Sequence, residues 1–192
     1  MRIANPNLFV ITGGPGSGKT TLLGELERRG YQCVPEVARR IIQEQIESGG
    51  KALPWADAVL YTELMLRRSI ESFMEHTPAM APTFADRGIP DTFCYARLIG
   101  LAPQEPIRSA CEQYRYAPRV FIAPLWKEIY ETDSERKQDF AHAVRTYEHM
   151  IPVYRECGYN LLELPRLSAA ERADFVIHQL SSAGKYSAIR SS

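Results

Sequence analysis

The sequence predicts an α/β protein, a parallel β-sheet with helices packed on both faces. Three observations predict it. Short continuous apolar runs of strand length recur along the chain, as strands buried on both faces require. Amphipathic helical stretches separate them, and strand and helix alternate five times. A glycine-rich turn joins the first apolar run to the first helix, the kind of connection at which such sheets bind anions.

The elements follow in order. Leu8 to Ile11 is the first buried strand, and Lys19 to Arg29 is a helix with Leu22, Leu23 and Leu26 inside and Gly30 at its end. Tyr31 to Val34 is the second strand. Glu36 to Glu47 is helical, with Val37, Ile41, Ile42 and Ile46 at helical spacing, and Gly49-Gly50 stops it. Trp55 to Glu75 is a longer helix, and Thr83 to Ala85 is a strand ending at Asp86. Short helices cover Asp91 to Ile99 and Glu105 to Tyr114, with Asp91 a candidate N-cap. Arg119 to Ala123 is a strand. Glu135 to Tyr154 is a helix that Pro152 should kink or shorten. Tyr159 to Leu164 and Ala169 to Leu180 are the last strand and helix. Trp55, Trp126 and the ten tyrosines suit core and lid packing better than a base-stacking platform.

Length and composition narrow the function classes. A chain of 192 residues suits one domain, taken here as 1–180, with 181–192 a small polar tail. The 45% hydrophobic and 24% charged shares are those of a folded globular protein. Lys plus Arg and Asp plus Glu are both 23, and no basic run exceeds two residues. That balance disfavours a dedicated nucleic-acid binder, which needs a basic surplus. Cys33, Cys94, Cys111 and Cys157 form no CxxC pair, so they are expected as free thiols in a reducing cytosol. Nothing near Met1 to Ile11 has the apolar length of a leader or a membrane span, so a cytoplasmic protein without membrane insertion is expected. His76, His142, His149 and His178 show no metal-ligand spacing.

Gly13-Gly14-Pro15-Gly16-Ser17-Gly18-Lys19-Thr20 matches G-x-x-x-x-G-K-[ST] at every position. Glycines let the backbone curl so that successive N–H groups face an anion. The following helix adds its positive N-terminal end. Lys19 can reach the β- and γ-phosphates, and the Thr20 hydroxyl can ligate Mg²⁺. Gly13, Gly14, Pro15, Gly16, Ser17, Gly18, Lys19, Thr20 and Thr21 are therefore the candidate nucleotide-binding residues, with ATP and Mg²⁺ as expected cofactors. The fold class sharpens to that of a P-loop NTPase. No N/T-K-x-D stretch is present, which disfavours guanine recognition by that route. Asp86 is followed by Arg87 rather than a second carboxylate, and the chain is too short for the helical lid domain of an AAA+ motor.

Ile11 to Thr21, then Pro35-Glu36-Val37-Ala38-Arg39-Arg40, then Asp86-Arg87-Gly88, then Tyr130 to Arg136 resemble the AAA-domain ATPase/kinase-like family. That family is related to the nicotinamide riboside kinase domain of the bacterial NAD regulator and to an animal GTP- and lipid-binding trafficking protein. The resemblance spans roughly residues 7–181. It implies a nucleotide-kinase-like three-layer sandwich around a five-stranded parallel sheet, with a lid over about 125–150.

Further site residues follow from the resemblance. Glu36, past the second strand, would take the acceptor hydroxyl's proton or hold the acceptor; a plain alternative is an acid at a helix N-terminus, or a partner of Arg39 or Arg40. Asp86 would hold the Mg²⁺ shell as Walker-B acids do, or merely cap the next helix. Asp86-Arg87 is similar to the Asp-Arg pair of thymidylate kinases, which aims Arg87 at the acceptor, beside Arg39. Arg136 would close over the transferring phosphoryl group, with Lys127 or Lys137 in lesser roles, unless this is a solvated helix start. Arg166 would lie near the base. Catalytic candidates are thus Lys19, Glu36, Asp86 and Arg136; acceptor candidates are Glu36, Arg39 and Arg87; metal candidates are Thr20 and Asp86.

Two function classes follow. One is a Mg²⁺-dependent phosphotransferase acting on a small nucleoside-like metabolite. The other is a nucleotide-operated ATPase- or GTPase-type module that recognises a protein or lipid partner. A pure ATPase is a third reading.

Overall fold

The apolar runs of the sequence become the inner strands of one parallel sheet. The computed structural model describes residues 1–77, 79–102, 104–125 and 140–187. The elements run β1 (Ile3–Ala4), β2 (Leu8–Gly13), α1 (Lys19–Arg28), β3 (Gln32–Val34), α2 (Val37–Ser48), α3 (Ala58–His76) and β4 (Thr83–Asp86). Then come α4 (Ile89–Leu98), α5 (Glu105–Gln113), β5 (Tyr114–Arg115), β6 (Arg119–Ala123), α6 (Phe140–Glu156), β7 (Asn160–Glu163) and α7 (Ala169–Ser187). The main sheet has five strands in the order β3-β4-β2-β6-β7, and every pair in it is parallel.

Side-chain alternation along β2 explains the three layers. Leu8 and Val10 enter the core beneath α3, α4, α5 and α6; Ile11, with Phe9 beside it, enters the core beneath α1 and α7. The helices thus cover both faces, as the sequence predicts. A third small cluster of Ile41, Tyr61 and Met65 joins α2 to α3.

The chain leaves β2 for β3 at one edge, returns to β4, and then passes to β6 on the other side of β2. Strand order therefore reverses at β2, and the crevice beyond the carboxyl ends of β2, β4 and β6 is where such sheets bind ligands. Register brings Ile11 beside Asp86 and Gly13 beside Ala123, so the glycine loop and the end of β4 open onto that crevice.

Several expectations change. Ile3–Ala4 pairs with Tyr114–Arg115 in a parallel two-residue ladder that no periodicity announced. Helix α3 starts at Ala58, because the Asp57 carboxylate accepts the Leu60 N–H at 2.9 Å; Trp55 precedes the helix and is 67% exposed, not core. Helix α4 starts at Ile89, so Asp91 lies in its first turn rather than at the N-cap, and caps the helix from there by accepting the Gly88 N–H. Pro152 does not shorten α6, which runs on to Glu156 with Val153 and Tyr154 fully packed. Burial of those side chains outweighs the lost backbone bond. Helix α7 continues past Leu180 to Ser187, into the stretch expected as a tail. Of the expected lid, residues 126–139 lie outside the described residues, and with them Trp126, Lys127, Tyr130, Arg136 and Lys137; its later part is α6.

Phe84 is the keystone of the α1/α7 face. It is fully buried, with the Phe9 ring 5.9 Å and the Tyr31 ring 5.5 Å away. Phe84→Ala should cost about 3–5 kcal/mol of unfolding free energy, measured by urea titration.

Candidate functional site

The loop after β2 is shaped by glycine. At Gly13, φ is 147°, and a Cβ there would lie 2.7 Å from the Ala123 carbonyl oxygen, so only glycine lets β2 and β6 stay this close. Gly18, at φ 74°, turns the chain into α1 and offers no side-chain cap. The first-turn N–H groups of α1 therefore have no internal acceptor and are free to meet an anion. Ser17 is spent on the loop itself, its hydroxyl donating to the Gly14 carbonyl at 2.8 Å. Thr21 donates to the Gly18 carbonyl at 3.2 Å. Thr20 is exposed.

Lys19 is 7% exposed and folds back over the loop, donating to the carbonyls of Gly13 at 3.1 Å and Gly14 at 3.3 Å. Burial, helped by the nearby Arg87 charge, lowers its pKa to about 8; Asp86, Glu36 and Asp91 oppose that shift. An ammonium held this way, on two carbonyls and no carboxylate, is underpaid electrostatically. It is disposed to exchange those carbonyls for an anion.

Asp86 ends β4 beside Ile11. Its Oδ1 is buried without a hydrogen-bond partner, and burial raises its pKa, against the pull of Lys19. An orphaned carboxylate oxygen at a strand end and a threonine hydroxyl at the start of α1 are oxygen donors of the kind a hard divalent cation takes, completed by phosphate oxygens and water. Asp86 and Thr20 thus fit Mg²⁺. Among the described residues no cluster of three or more His, Cys, Asp or Glu could hold a metal without such help.

Arg87 follows with φ 73°, the left-handed region that costs a non-glycine residue on the order of 1–3 kcal/mol. Its N–H continues the sheet ladder to the Ile11 carbonyl at 3.0 Å. Its guanidinium donates to Glu36 Oε1 at 2.8 Å and to Asp91 Oδ1 at 3.1 Å. Burial opposes the charge on Arg87, but Glu36, Asp91 and Asp86 raise its pKa far above the ordinary value. Glu36 likewise resists burial: Arg87, Lys19 and Arg39 hold its pKa at about 2. Glu36 occupies the N-cap position of α2 yet caps nothing there; its carboxylate turns to Arg87 instead.

Asp91 closes the network. Its Oδ1 also accepts the Thr12 hydroxyl at 2.6 Å, and its Oδ2 accepts the Gly88 N–H at 2.8 Å and the Tyr154 hydroxyl. Four donors saturate the carboxylate. One side chain thus ties the strand feeding the glycine loop, the start of α4, the far part of α6 and Arg87. Neither Thr12 nor Tyr154 carried a signal in the sequence, since a threonine in a strand and a tyrosine on an amphipathic helix look like packing.

Beside this network lies a cleft of about 450 Å³, solvent space at its mouth included, between the ends of β3 and β4 and helices α2 and α3. Leu8, Val34, Met65 and Phe73 give it apolar walls; Asp86, Arg87 and Asp91 stand on one side. Ser69, Ser72 and Thr92 add hydroxyls, and Thr92 Oγ1 is buried without a partner. A few polar groups set among apolar walls are the lining chemistry of a small-molecule site. The structure gathers Lys19, Thr20, Glu36, Asp86 and Arg87 at one end of the sheet. Arg39 is exposed on α2 and does not line the cleft, though its charge reaches Glu36; Arg166 is exposed after β7; Arg136 is outside the described residues.

The Glu36 ion pair has a pH signature. Its folded pKa, about 2, lies below its ordinary 4.5, so the unfolded chain takes up that proton first as pH falls. The pair's stabilisation is whole above about pH 4.5 and is lost as pH drops toward 2. Urea unfolding from pH 6 to 2.5 should show a steeper acid decline in the wild type than in Glu36→Gln, with a difference on the order of 1–3 kcal/mol. Equal slopes would mean that the pair is not intact in solution.

Comparison with solved structures places this geometry among kinase folds. The chain superposes on the NadR protein in complex with NR with a TM-score of 0.69 at 19% identity, over 90% of this chain and 51% of that one. Thymidylate kinase from Ehrlichia chaffeensis gives 0.61 at 15% identity, over 92% and 99%. Shikimate kinase from Acinetobacter baumannii, in complex with shikimate, gives 0.55 at 21% identity, over 93% and 94%. At these identities the likeness is one of fold, a P-loop NTPase fold of the nucleotide-kinase kind. No curated protein matches the chain. The family described as the AAA domain matches residues 8–172, from the start of the central strand to the first turn of the last helix, and the chain belongs to that family.

Proposed function

We propose that the protein is an ATP- and Mg²⁺-dependent phosphotransferase acting on a hydroxyl of a small nucleoside-like metabolite. The observation that carries this reading is the cleft beside the glycine loop. A second compartment, with Asp86, Arg87 and Asp91 set among apolar walls, opens beside the end of β4 that pairs with the strand feeding the glycine loop, where a bare nucleotide binder needs none. The solved kinases named above share the fold.

The roles we assign are these. The loop N–H groups and Lys19 bind the donor's phosphates, with Thr21 closing the start of α1. Asp86 and Thr20 would hold Mg²⁺, which when bound neutralises phosphate charge and fixes the polyphosphate. Arg87 lines the acceptor cleft, Glu36 is hydrogen-bonded to it, and the Arg39 charge reaches Glu36 from α2. A carboxylate with a pKa of about 2 cannot keep a proton near neutrality, so Glu36 accepts the acceptor hydroxyl's hydrogen bond and orients it rather than storing its proton. The loose transition state of phosphoryl transfer asks for little more from a base. The acceptor oxygen bonds to the γ-phosphorus, the bridging bond to ADP breaks, and the hydroxyl proton leaves to product phosphate or water. Arg136 is assigned to the transferring group from its sequence position alone. All four cysteines are free, which fits the reducing cytoplasm we assign it. No helix among the described residues is long and apolar enough to cross a membrane.

Lys19→Ala should abolish the rise in Tm that Mg-ATP gives the wild type. A folded mutant stabilised as well as the wild type would sink the phosphate-site assignment. Near pH 8.5, where about half or more of Lys19 is neutral, ATP should draw a proton onto it. Titration calorimetry in buffers of different ionisation heat should register that uptake in the wild type and not in Lys19→Ala. A metabolite panel scored for ADP release separates the function classes. Turnover stimulated by one acceptor is the kinase result; slow turnover blind to all of them is that of a nucleotide-operated module or a plain ATPase.

A further inference from the structure

Arg172 is a buried charge that this chemistry leaves unexplained. It sits in the first turn of α7, 4% exposed. Ser168 and Glu171 form a reciprocal cap that pins the helix start, with the Ser168 N–H donating to Glu171 at 3.0 Å and the Glu171 N–H to Ser168 at 3.3 Å. From there the guanidinium donates to the Ser17 carbonyl at 3.1 Å and the Gly18 carbonyl at 3.2 Å, while its Nε has no partner. No described carboxylate forms an ion pair with it, and burial alone lowers its pKa. An uncompensated buried cation is costly, and a methionine would fill similar space without that cost.

The two carbonyls explain the charge. In a trans peptide the C=O and the following N–H point in opposite directions. Holding the Ser17 carbonyl back turns the Gly18 N–H the other way, and holding the Gly18 carbonyl back does the same for the Lys19 N–H. These two peptides flank Gly18, at φ 74°, where no side chain resists a flip; the Gly18 carbonyl also accepts the Leu22 N–H and the Thr21 hydroxyl, each at 3.2 Å, so the Ser17 peptide depends most on Arg172. Arg172 grips both from behind, and its charge adds to the positive field in front.

We infer that Arg172 is a positioning residue of the phosphate loop, a brace from the last helix that locks the two peptide planes whose N–H groups receive the nucleotide's phosphates. The inference rests on the reading of the loop as a polyphosphate grip. It also gives α7 a task in nucleotide binding that no motif in the sequence assigns.

The test measures the Kd for Mg-ATP and for inorganic tripolyphosphate, which lacks base and sugar, on wild type, Arg172→Met, Arg172→Lys and Arg29→Ala. Arg29 clasps α1 to α7 at the surface through Asp174 and the Ala170 carbonyl and touches neither loop carbonyl, so it controls for helix packing. Arg172→Met should weaken both ligands by about tenfold or more, since each lost bond is charge-assisted. Arg172→Lys, a single-point donor, should recover part of that loss, and Arg29→Ala should bind as the wild type does. If Arg172→Met does not fold, Arg172→Lys alone carries the comparison. Wild-type affinity in both Arg172 variants overturns the inference, as does an equal loss in Arg29→Ala. A loss confined to ATP, sparing tripolyphosphate, overturns it too, because that marks a disturbed base site. A wild type that binds neither ligand overturns the polyphosphate reading and the inference together.

Discussion

Everything near the ligand crevice serves one constraint: a run of backbone N–H groups must face inward with no partner of its own. Unpaired backbone donors are tolerated only where something will meet them. The fold has to hold the loop after β2 open at a cost, and it does so with its best-anchored parts. Strand β2 is clamped between β4 and β6, and Gly13 lets β6 approach so closely that a methyl group would collide with Ala123. Thr12, the residue before that glycine, is tied to Asp91 from the α4 side. Arg172 holds Ser17 and Gly18 from the α7 side. Both helical layers thus reach the same few residues.

The cleft beside β4 is held on the same principle, with side chains in place of backbone. Arg87 carries left-handed strain, and the two carboxylates it bonds supply the compensation. Because Asp91 also bonds Thr12 and Tyr154, the Arg87–Glu36 pair and the glycine loop share one anchor. A shift of α6, which leads from the segment after β6, would be felt at Arg87 through Tyr154 and at the loop through Thr12. Networks of this kind hold together only when every member is satisfied, and Asp91 is.

What the sequence disclosed depended on how local the physics was. The glycine loop is legible because eight consecutive residues suffice to make it. Strands β2, β4 and β6 announce themselves as apolar runs because both faces are covered. Asp86 and Glu36 could be placed at strand ends, but not the partner each would choose: Glu36 caps nothing and pairs with a residue 51 positions away. Arg172 was invisible for the same reason, since its partners lie more than 150 residues earlier. Trp55 misled because size and apolarity argue for burial, whereas the Asp57 cap starts α3 beyond it and leaves the ring outside. Pro152 did not end the helix because its local penalty is real but smaller than the burial of Val153 and Tyr154, the two residues that follow it.

Charge pairing sorts the buried ionic residues into those that build the site and those that await a ligand. Arg87 is ion-paired with both Glu36 and Asp91, and the three are framework. Lys19 and Arg172 bond only to carbonyls of the loop, one folded over it and one behind it, and burial pulls the pKa of each down. Asp86 has an oxygen with no partner and a pKa pushed up. Two cations hydrogen-bonded only to carbonyls and one carboxylate oxygen without a hydrogen bond, all around the glycine loop, leave donors and an acceptor that a bound nucleotide would satisfy. A structural site has no reason to leave those groups unmet, and that, more than the motif itself, is the physical case for a bound nucleotide.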